Sequence, residues 1–589
     1  MFWYKKRSSV PSNPTKDLTM RQVLKVSKPT RLPRWKQWKQ LPSVLSRMEK
    51  RIMQSAFVVM VVSTSFLIGL TLLSRRVEIP TKGGEYTEAL VGEPQLINPL
   101  YAISNDVDQD LTSLIYSGLF RWIPDRGLVN DLAQSIHVNE EGTVITIKIR
   151  ENATFHNGDP VRARDILFTI NAIQNPSYRS SLLPIFKNIS VIQEDDLTVS
   201  FILPKADTPF LQNLTVGILP SGVWADVLPQ NAPLASLNLQ PIGSGPYQFV
   251  EFTKDKKGSI RSYTLEPFNR YSENPAKIER LIFKFYPDSD SALDGLTNKF
   301  VEGMNVVPFK NLDEVGQNRT VVLHSPFLSR ETILFFNQKI NPLLEKKGVR
   351  EAIAKSIDKQ TIVQTILSGN GRVIEGPILK ESLGYHAGLE PLTVDLEAAK
   401  TLLTENGVLT EPKEESTKKP NQFTLTTIDS EEFLQVANYL KTQLEQIGLE
   451  IEIVSFANEV FYEKVIAPRN FELLLTTVLF NADPDPSIFW HSNKADGAGL
   501  NIVDYKNPEV DKLLDSARTT LHEADRQMTY QTFQEKLAAD LPAVFLYQST
   551  YSYALPKKIE QAQFTQIRIP SDRFAKITEW YIKTKKSFK

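Results

Sequence analysis

The sequence TVITIKIRENATFHNGDPVRARDILFTINAI (residues 143–173) joins a strand, a tight turn and a helix in one continuous run. Thr143–Arg150 alternates apolar and polar residues with a period of two, which is typical of a half-buried strand. Asn157-Gly158 is a turn signal, and Asp159-Pro160 opens a helix whose apolar residues recur at helical spacing over Ala163–Ile173. A strand followed by such a helix indicates a mixed α/β fold.

The same alternation of strands and helices continues along the chain. Arg350–Leu367 has the apolar spacing of a helix that ends at Gly369, and Glu432–Ile447 is a second such helix, closed by Gly448. Further strands are predicted at Leu197–Leu203, Ile260–Leu265, Leu449–Val454 and Phe471–Leu479, and two helices over Asp504–Ala539. A helix, a glycine and then a short strand is the order expected of α/β domains.

Composition places this chain among globular proteins. Its 589 residues exceed one compact domain, and 41% hydrophobic with 23% charged residues excludes wholesale disorder and fibrous repeats. The sequence contains no cysteine. This excludes a disulfide framework, a thiolate metal site, a cysteine nucleophile and a lipidated amino-terminal cysteine.

The formal net charge of zero conceals two regions of opposite charge. Residues 1–51 hold 14 Lys or Arg and only two acidic residues, a net of +12, and the rest of the chain carries a net of −12. Between them lies an uncharged run of 23 residues, Ile52–Ser74. As a helix it reaches about 34 Å, enough to cross a ~30 Å hydrocarbon core. We predict an uncleaved signal anchor, the alternative being a buried core helix.

The excess of Lys and Arg before the span predicts that the amino terminus stays in the cytoplasm and the body lies outside. The tail contains Trp35 and Trp38 among basic residues close to the span. Two other roles for such a tail are an interfacial helix on anionic lipid and a nucleic-acid patch. We favour a topology determinant with aromatic interface anchoring, and therefore predict no nucleic-acid partner.

Catalytic and metal motifs are absent from the sequence. It has no H-E-x-x-H, no G-x-S-x-G, no P-loop and no G-x-G-x-x-G, and its six histidines never fall at ligand spacing. We predict no metal and no cofactor. Asp483 and Asp485 form a possible acid/base pair, but their neighbours Pro484 and Pro486 make the segment an extended or turning loop. Ammonium binding or helix capping is the alternative role for these carboxylates.

Phe155–Pro160 (FHNGDP), with Ala163 and Asp165 after it, is the core of a segment that resembles a family signature. The family is that of the extracellular solute-binding proteins (family 5) that serve peptide and nickel ABC transporters, and the resemblance covers nearly all of residues 83–560. It is also carried by GGEYTEALVGEPQLINPLYA (83–102), LIYSGLFRW (114–122), IGSGPY (242–247), FNRYSENPAKIERLIFKFYPD (268–288), FNQKINPLLEKKGVREAIAKSIDKQTIV (336–363), LFNADPDPSIFWHS (479–492) and NPEV (507–510).

The resemblance implies an α/β fold of the periplasmic-binding-protein-like type II class with two lobes, to which this chain adds the N-terminal transmembrane helix predicted from its apolar run. The basic cytoplasmic tail at 1–51 and the signal anchor at 52–74 follow from charge and hydropathy. The resemblance implies a first lobe at 82–325 with an extra subdomain at about 120–240, a second lobe at 326–545, and a return to the first lobe at 546–589. The chain departs from the family in having Asn98 where Asp is common, and in lacking a lipidated cysteine.

The resemblance also implies a set of ligand-binding residues in the cleft between the lobes. In peptide-binding relatives an Asp in the segment matching NADPDP meets the peptide's ammonium, which makes Asp483 the candidate here, with the register open by one residue. Backbone pairing with an extended peptide is expected around Asn481 and around Asn105-Asp106. Phe489 and Trp490 are either core residues or walls of the cleft.

The resulting hypothesis is a membrane-anchored, monomeric receptor, not an enzyme, that passes oligopeptides to an ABC transporter permease. One alternative is an envelope sensor or chaperone-like binding protein without a transporter. Another is a receptor for a non-peptide solute such as a nickel chelate, haem or an oligosaccharide. A hydrolase that uses Asp483 and Asp485 is the third.

Overall fold

The amino-terminal apolar run forms one long helix, Arg47–Ser74. The computed structural model describes residues 45–74, 76–124, 126–409, 419–479, 483–496 and 499–588. The described residues up to Ile79 and those from Lys586 onward form one compact unit, and Pro80–Lys585 forms a second, which we describe by itself.

The long helix has the start signal and the composition of a membrane span. Glu49 accepts a hydrogen bond from the backbone N–H of Ser46, and Ser46 Oγ accepts one from the N–H of Glu49, which is a capping box. Over Arg47–Thr71 the mean hydropathy of the apolar window is 1.9, and none of that window is buried inside the protein. Length and composition therefore suffice to cross a bilayer.

The larger unit is built on two mixed sheets, of which the first has seven strands. Three strands of this sheet, Glu85–Val91, Arg280–Tyr286 and Gly303–Met304, run parallel to one another. In sheet order the strands are Val321–His324, Tyr553–Pro556, Gly303–Met304, Glu85–Val91, Arg280–Tyr286, Ile260–Pro267 and Tyr247–Lys254. We call this sheet and the elements packed on it the first lobe.

The second sheet has six strands, and we call it and its helices the second lobe. Gln422–Ile428 runs parallel to both Glu450–Phe456 and Leu473–Leu479, whereas Arg330–Phe336 is antiparallel to Leu473–Leu479. In sheet order the strands are Gly371–Val373, Ala543–Ser549, Arg330–Phe336, Leu473–Leu479, Gln422–Ile428 and Glu450–Phe456. The predicted strands 449–454 and 471–479 are thus confirmed to within two residues.

The segment 143–173 contributes to a smaller antiparallel sheet of four strands. In sheet order these are Ala133–Val138, Val144–Ile149, Thr198–Ile202 and Ser190–Gln193. The helix predicted after it spans Ala163–Gln174 and buries Ile166, Ile170 and Ile173, as its spacing requires. Further strands are Arg76–Thr81 with Lys583–Phe588, Phe120–Ile123 with Gly127–Asn130, and Phe327–Leu328 with Gln566–Ile567.

Two of the segments that carried the resemblance pack against each other through His156. Its Nδ1 accepts a hydrogen bond from Gly243 N–H at 3.2 Å, and its Nε2 donates to the carbonyl of Gly245 at 3.1 Å. Burial lowers the pKa of His156 to about 4, so the ring is neutral and keeps one tautomer. A side chain at Gly243 would lie 2.0 Å from the Ile115 carbonyl oxygen, so this approach requires glycine.

The predicted helix over Arg350–Leu367 is wrong as a single element. The chain forms a helix at Lys347–Ser356, leaves helical geometry at Ile357, and restarts at Lys359–Thr361 before a π-helical turn at Ile362–Ile366. Asp358 accounts for the break, because its carboxylate accepts hydrogen bonds from the N–H groups of the next turn and so caps a new helix. Apolar spacing continued across the break and concealed it.

The remaining helices connect and cover these strands, and some of them, such as Glu431–Gln446, pack directly on a sheet. They are Asp106–Ile115, Leu183–Phe186, Ser221–Trp224, Ser289–Thr297, Leu312–Gly316, Leu396–Glu405, Glu431–Gln446, Asn458–Phe461, Ser487–Trp490, Pro508–Thr519 and Glu523–Asp540. The helices predicted at 432–447 and within 504–539 are therefore confirmed. Short 3-10 segments include Thr208–Thr215 and Pro570–Phe574, and Tyr462–Ile466 is π-helical.

Candidate functional site

The two large sheets present the carboxyl ends of their parallel strands to each other. Val91 and Tyr286 end parallel strands of the first lobe, and Leu479 ends one in the second lobe. The chain passes between the sheets over residues 325–329 and 550–552. Strand pairing places both ends of each crossover at those carboxyl ends. Ligands of open α/β sheets bind outside the carboxyl ends of the strands, so the space between the lobes is the candidate site.

A set of polar contacts, which we call the latch, joins the lobes away from the crossovers. Asp207 of the first lobe pairs with Arg518 Nη2 of the second at 2.7 Å. Thr208 Oγ1 donates to the carbonyl of Arg518 at 3.2 Å, and Lys205 Nζ lies 3.3 Å from Asp515. The Asp207 and Arg518 side chains are about three-quarters buried, whereas the Lys205 and Asp515 side chains are mostly exposed.

Asp483 lies beside the latch, four residues beyond the strand that ends at Leu479. The Gln212 side chain makes two hydrogen bonds to the backbone of Asp483. Its Nε2 donates to the Asp483 carbonyl at 3.0 Å, and its Oε1 accepts from the Asp483 N–H at 3.2 Å. Its carboxylate Oδ1 accepts a hydrogen bond from Arg526, and no donor among the described residues reaches Oδ2. Burial raises the pKa of Asp483, although the Arg526 guanidinium opposes that rise.

Asp485 has a local structural role in the same loop. Its Oδ1 accepts hydrogen bonds from both the N–H and the hydroxyl of Ser487, at the start of the short helix Ser487–Trp490. Arg518 Nε lies 3.8 Å from the other oxygen. Asp485 thus holds the turn that leads into this helix, whose N-cap residue is Pro486 and which has no side-chain capping hydrogen bond.

The structure places Trp490 in the core of the second lobe. Its side chain is 1% exposed, and its ring stacks on Phe335 at a centroid distance of 5.9 Å. Phe489 is half-buried and packs against the same core. Trp490 therefore has the contacts of a core residue and not those of a cleft wall.

Asn105 and Asp106 lie at the carboxyl edge of the first-lobe sheet. Asn105 Nδ2 donates to the carbonyl of Glu93, two residues after the strand that ends at Val91. Asn105 Oδ1 accepts hydrogen bonds from two backbone N–H groups, so the residue caps the helix Asp106–Ile115. Asn481 lies outside the described residues. Asp483 of the second lobe and Asn105 and Asp106 of the first lobe thus stand at or near the facing edges, whereas Trp490 does not.

Sequence reasoning missed the side chains that surround Asp483. Gln212, Arg518 and Arg526 come from segments that carry no motif, and they reach Asp483 or its loop only through tertiary folding. It also missed Glu331, which is fully buried near the start of its strand. A charged residue within the apolar run ETILFF (331–336) was the one signal available in the sequence.

A buried ion cluster fixes the carboxyl-terminal segment to the first lobe. Arg573 lies 2.7 Å from Glu88 Oε1 and 2.6 Å from Asp110 Oδ2, and all three side chains are buried to within 1%. The hydroxyls of Tyr86 and Tyr553 donate to Glu88 at 2.7 and 2.9 Å. Burial raises the pKa of Asp110 to about 6, while the Arg573 guanidinium lowers it.

A pocket elsewhere does not coincide with the predicted site. It has a volume of about 480 Å³ and is lined by Leu312, Asp313, Gly316, Gln317, Leu323, Ser325 and Asn370. None of the predicted site residues lines it. Within the described part of the chain, no three His, Asp or Glu side chains are grouped closely enough to hold a metal ion.

Known proteins match almost the whole of the larger unit. The family model for bacterial extracellular solute-binding proteins, family 5 Middle, matches residues 127–499. The oligopeptide-binding protein AppA of Bacillus subtilis is 26% identical over 524 residues, covering 85% of this chain and 92% of AppA. The glutathione-binding protein GsiB of Pectobacterium atrosepticum is 24% identical over 512 residues, covering 85% of this chain and 96% of GsiB.

Solved structures show the same likeness. The structure of Bacillus subtilis AppA in complex with a nonapeptide superposes with a TM-score of 0.72 at 25% identity, covering 86% of this chain and all of AppA. NikZ from Campylobacter jejuni in complex with Ni(L-His) gives a TM-score of 0.72 at 24% identity, covering 84% of this chain and 99% of NikZ. The likeness thus extends over both lobes.

Proposed function

The chain belongs to the bacterial extracellular solute-binding proteins of family 5, which are substrate receptors and not enzymes, and from this premise we propose that it binds oligopeptides between its lobes. Its fold is the mixed α/β architecture of type II periplasmic binding proteins. Asp483 and Asp485 are accordingly assigned to binding and to loop structure, and the hydrolase hypothesis is not retained.

The observation that carries the peptide assignment is the half-paired carboxylate of Asp483. Arg526 occupies Oδ1 and leaves Oδ2, while the side chain is only 22% exposed at the edge of the lobe interface. A peptide ammonium buried between the lobes requires an anionic partner, because an unpaired buried charge costs several kcal/mol. Asp483 Oδ2 meets that requirement. Backbone pairing of the peptide with residues around Asn481 and Asn105-Asp106 completes the proposed contacts.

The latch supports closure of the lobes over the bound peptide. Its members, including Asp207 and Arg518, stand on different lobes, so these contacts exist only while the lobes are together. A peptide that contacts both lobes shifts the population toward that closed form. The closed form then docks on the permease subunits of an ABC importer.

The remaining organisation follows the sequence expectation. Arg47–Ser74 anchors the receptor in the cytoplasmic membrane with the basic tail inside and the lobes outside. The lobe boundaries that we propose are 82–325 with a subdomain at about 120–240, 326–545, and a return at 546–589. Such a receptor acts as a monomer, since one cleft between two lobes of one chain forms the whole site.

The experiment that tests the proposal measures peptide binding to the full chain in detergent. We expect a random pentapeptide pool to raise the melting temperature, because a ligand that binds only the native state stabilises it. Amino-terminal acetylation of the same pool should weaken binding at least tenfold, since it removes the ammonium. Asp483→Asn should abolish this difference between the two pools.

Asp226→Asn is the matched control. Asp226 is exposed on the first lobe, and its substitution makes the same chemical change as Asp483→Asn. This variant should discriminate against the acetylated pool as the wild-type protein does. A melting temperature that responds to nickel–histidine, haem or oligosaccharides but not to peptides would contradict the peptide assignment. A response to the acetylated and free pools alike would contradict the role of Asp483.

A further inference from the structure

Glu331 lies near the start of the strand Arg330–Phe336, directly after the crossover into the second lobe. Side chains alternate between the two faces of a strand, so Glu331 shares its face with Ile333 and Phe335. Both of these belong to the apolar core that contains Trp490. Val478, which pairs with Glu331 on the neighbouring strand, belongs to the same core. The carboxyl group therefore stands at one end of an apolar layer.

Glu331 is an unpaired buried acid. Its side chain is 0% exposed, and within the described ranges neither carboxyl oxygen has a hydrogen-bond partner. Burial alone raises the pKa of Glu331 well above its usual value. A buried polar group without a partner costs free energy that a fold retains only at special positions. Replacing the acid with an apolar side chain would remove that cost, so its presence points to a partner that binds there.

Glu331 lies close to the edge of the second-lobe sheet that faces the first lobe. The next residue toward that edge, Arg330, pairs with Leu479, the last residue of its strand, and both carry their side chains on the opposite face from Glu331. One residue spans about 3.3 Å along a strand, so Glu331 is a single step inside the carboxyl edge that faces the first lobe. The strand continues into the crossover at Ser329, and any movement between the lobes turns on this segment.

We propose that Glu331 is a specificity-determining residue that binds a cationic side chain, lysine or arginine, of the peptide. This inference rests on the proposed function and names its substrate class as peptides with a second positive charge beside the terminal ammonium. The cationic group of such a side chain lowers the pKa of Glu331 and pairs with its carboxylate, and the aliphatic stem extends from there toward the carboxyl edge of the sheet. Asp483 binds the terminal ammonium, so each of the two acids binds a different positive charge of the same peptide.

The test compares two pentapeptide pools with free amino termini on the full chain in detergent. One pool carries a single lysine at a random position, and the other carries norleucine, the uncharged analogue, in its place. The wild-type protein should bind the lysine pool at least tenfold more tightly. Glu331→Gln should reduce this preference to less than twofold while it leaves the affinity for the norleucine pool within about twofold.

Glu452→Gln is the matched control, because Glu452 is exposed on a strand of the same sheet. This variant should keep the wild-type preference. Equal binding of both pools by the wild-type protein overturns the role of Glu331 and leaves the peptide receptor standing. Binding of neither pool overturns both proposals. A Glu331→Gln protein that keeps the preference also overturns the inference, and the wild-type comparison decides the matter if that variant does not fold.

Discussion

At the scale of single residues, Arg573 shows how one buried side chain fixes a distant part of the chain. It lies in the 3-10 segment Pro570–Phe574, yet its partners Glu88 and Asp110 are more than 450 residues away in the sequence. Two carboxylates face one guanidinium, which leaves an excess of negative charge. The hydroxyls of two tyrosines offset it by donating hydrogen bonds to Glu88, and the raised pKa of Asp110 favours the neutral form of that acid. Removing the guanidinium leaves both acids without a cation.

Arg573→Met should therefore destabilise the protein by about 3–5 kcal/mol at pH 7, because it leaves the buried carboxyl groups of Glu88 and Asp110 without a cation. Without the arginine the pKa of Asp110 rises above its present value of about 6, so the folded state binds a proton that the unfolded state releases. Stability of the variant should then fall as the pH rises from about 4, near the ordinary pKa of Asp. Urea unfolding at pH 4.5 and pH 7 measures this.

Adding Asp110→Asn to Arg573→Met should recover part of the loss at pH 7, since it removes one of the stranded charges. If Arg573→Met is equally stable at both pH values, Asp110 does not bind the extra proton in the folded variant, and the prediction is wrong.

At the scale of elements, the latch joins the 3-10 segment Thr208–Thr215 and the residues before it to the helix Pro508–Thr519. The pair Asp207–Arg518 is about three-quarters buried, whereas Lys205–Asp515 is mostly exposed. Exposed ion pairs contribute little because water screens them and the long side chains lose entropy. The two pairs therefore contribute unequally to holding the elements together.

Arg518→Met should speed the dissociation of a bound peptide about tenfold, which corresponds to about 1.4 kcal/mol. The reason is that the variant loses the ion pair with Asp207 and weakens the closed form. Lys205→Met, the matched control, should change the rate by less than about twofold. Stopped-flow displacement of a fluorescent peptide measures both rates, and equal rates in the two variants would exclude a role for Asp207–Arg518 in closure.

At the scale of the whole molecule, the chain divides its charge across one apolar helix. The amino-terminal 51 residues carry a net charge of +12 and the rest a net of −12. The helix Arg47–Ser74 between them is long enough to cross a bilayer, and its apolar window is not buried inside the protein. The family is extracytoplasmic, so the polarity of the charges agrees with a body outside the membrane.

We expect protease added to intact cells or spheroplasts to digest the body and to leave the first 51 residues protected. Blotting against epitopes at the two ends of the chain measures this. The full chain should pellet with the membranes and resist extraction by high salt, because an apolar span and not charge holds it there. Release of a shortened chain into the medium or periplasm would show a cleaved signal instead of an anchor.

Much of the fold follows from local patterns. Side-chain periodicity reflects which face of an element is buried, so it predicted several elements correctly. These are the strand within 143–150, the helices within 163–173 and 432–447, and the buried strand that ends at Leu479. The break at Ile357 was not readable, because Asp358 caps a new helix while the apolar spacing continues.

Local sequence patterns were enough to predict the α/β class, the single apolar span, the division of charge and the loop that carries Asp483, because each of these depends on residues that are neighbours in the chain. Three findings required the folded protein: Gln212 and Arg526 hold Asp483, Trp490 lies in the core, and Glu331 has no partner among the described residues. Burial and pairing depend on contacts between residues far apart in the chain. A local sequence pattern cannot predict such contacts, because they form only when distant segments pack against each other in the folded protein.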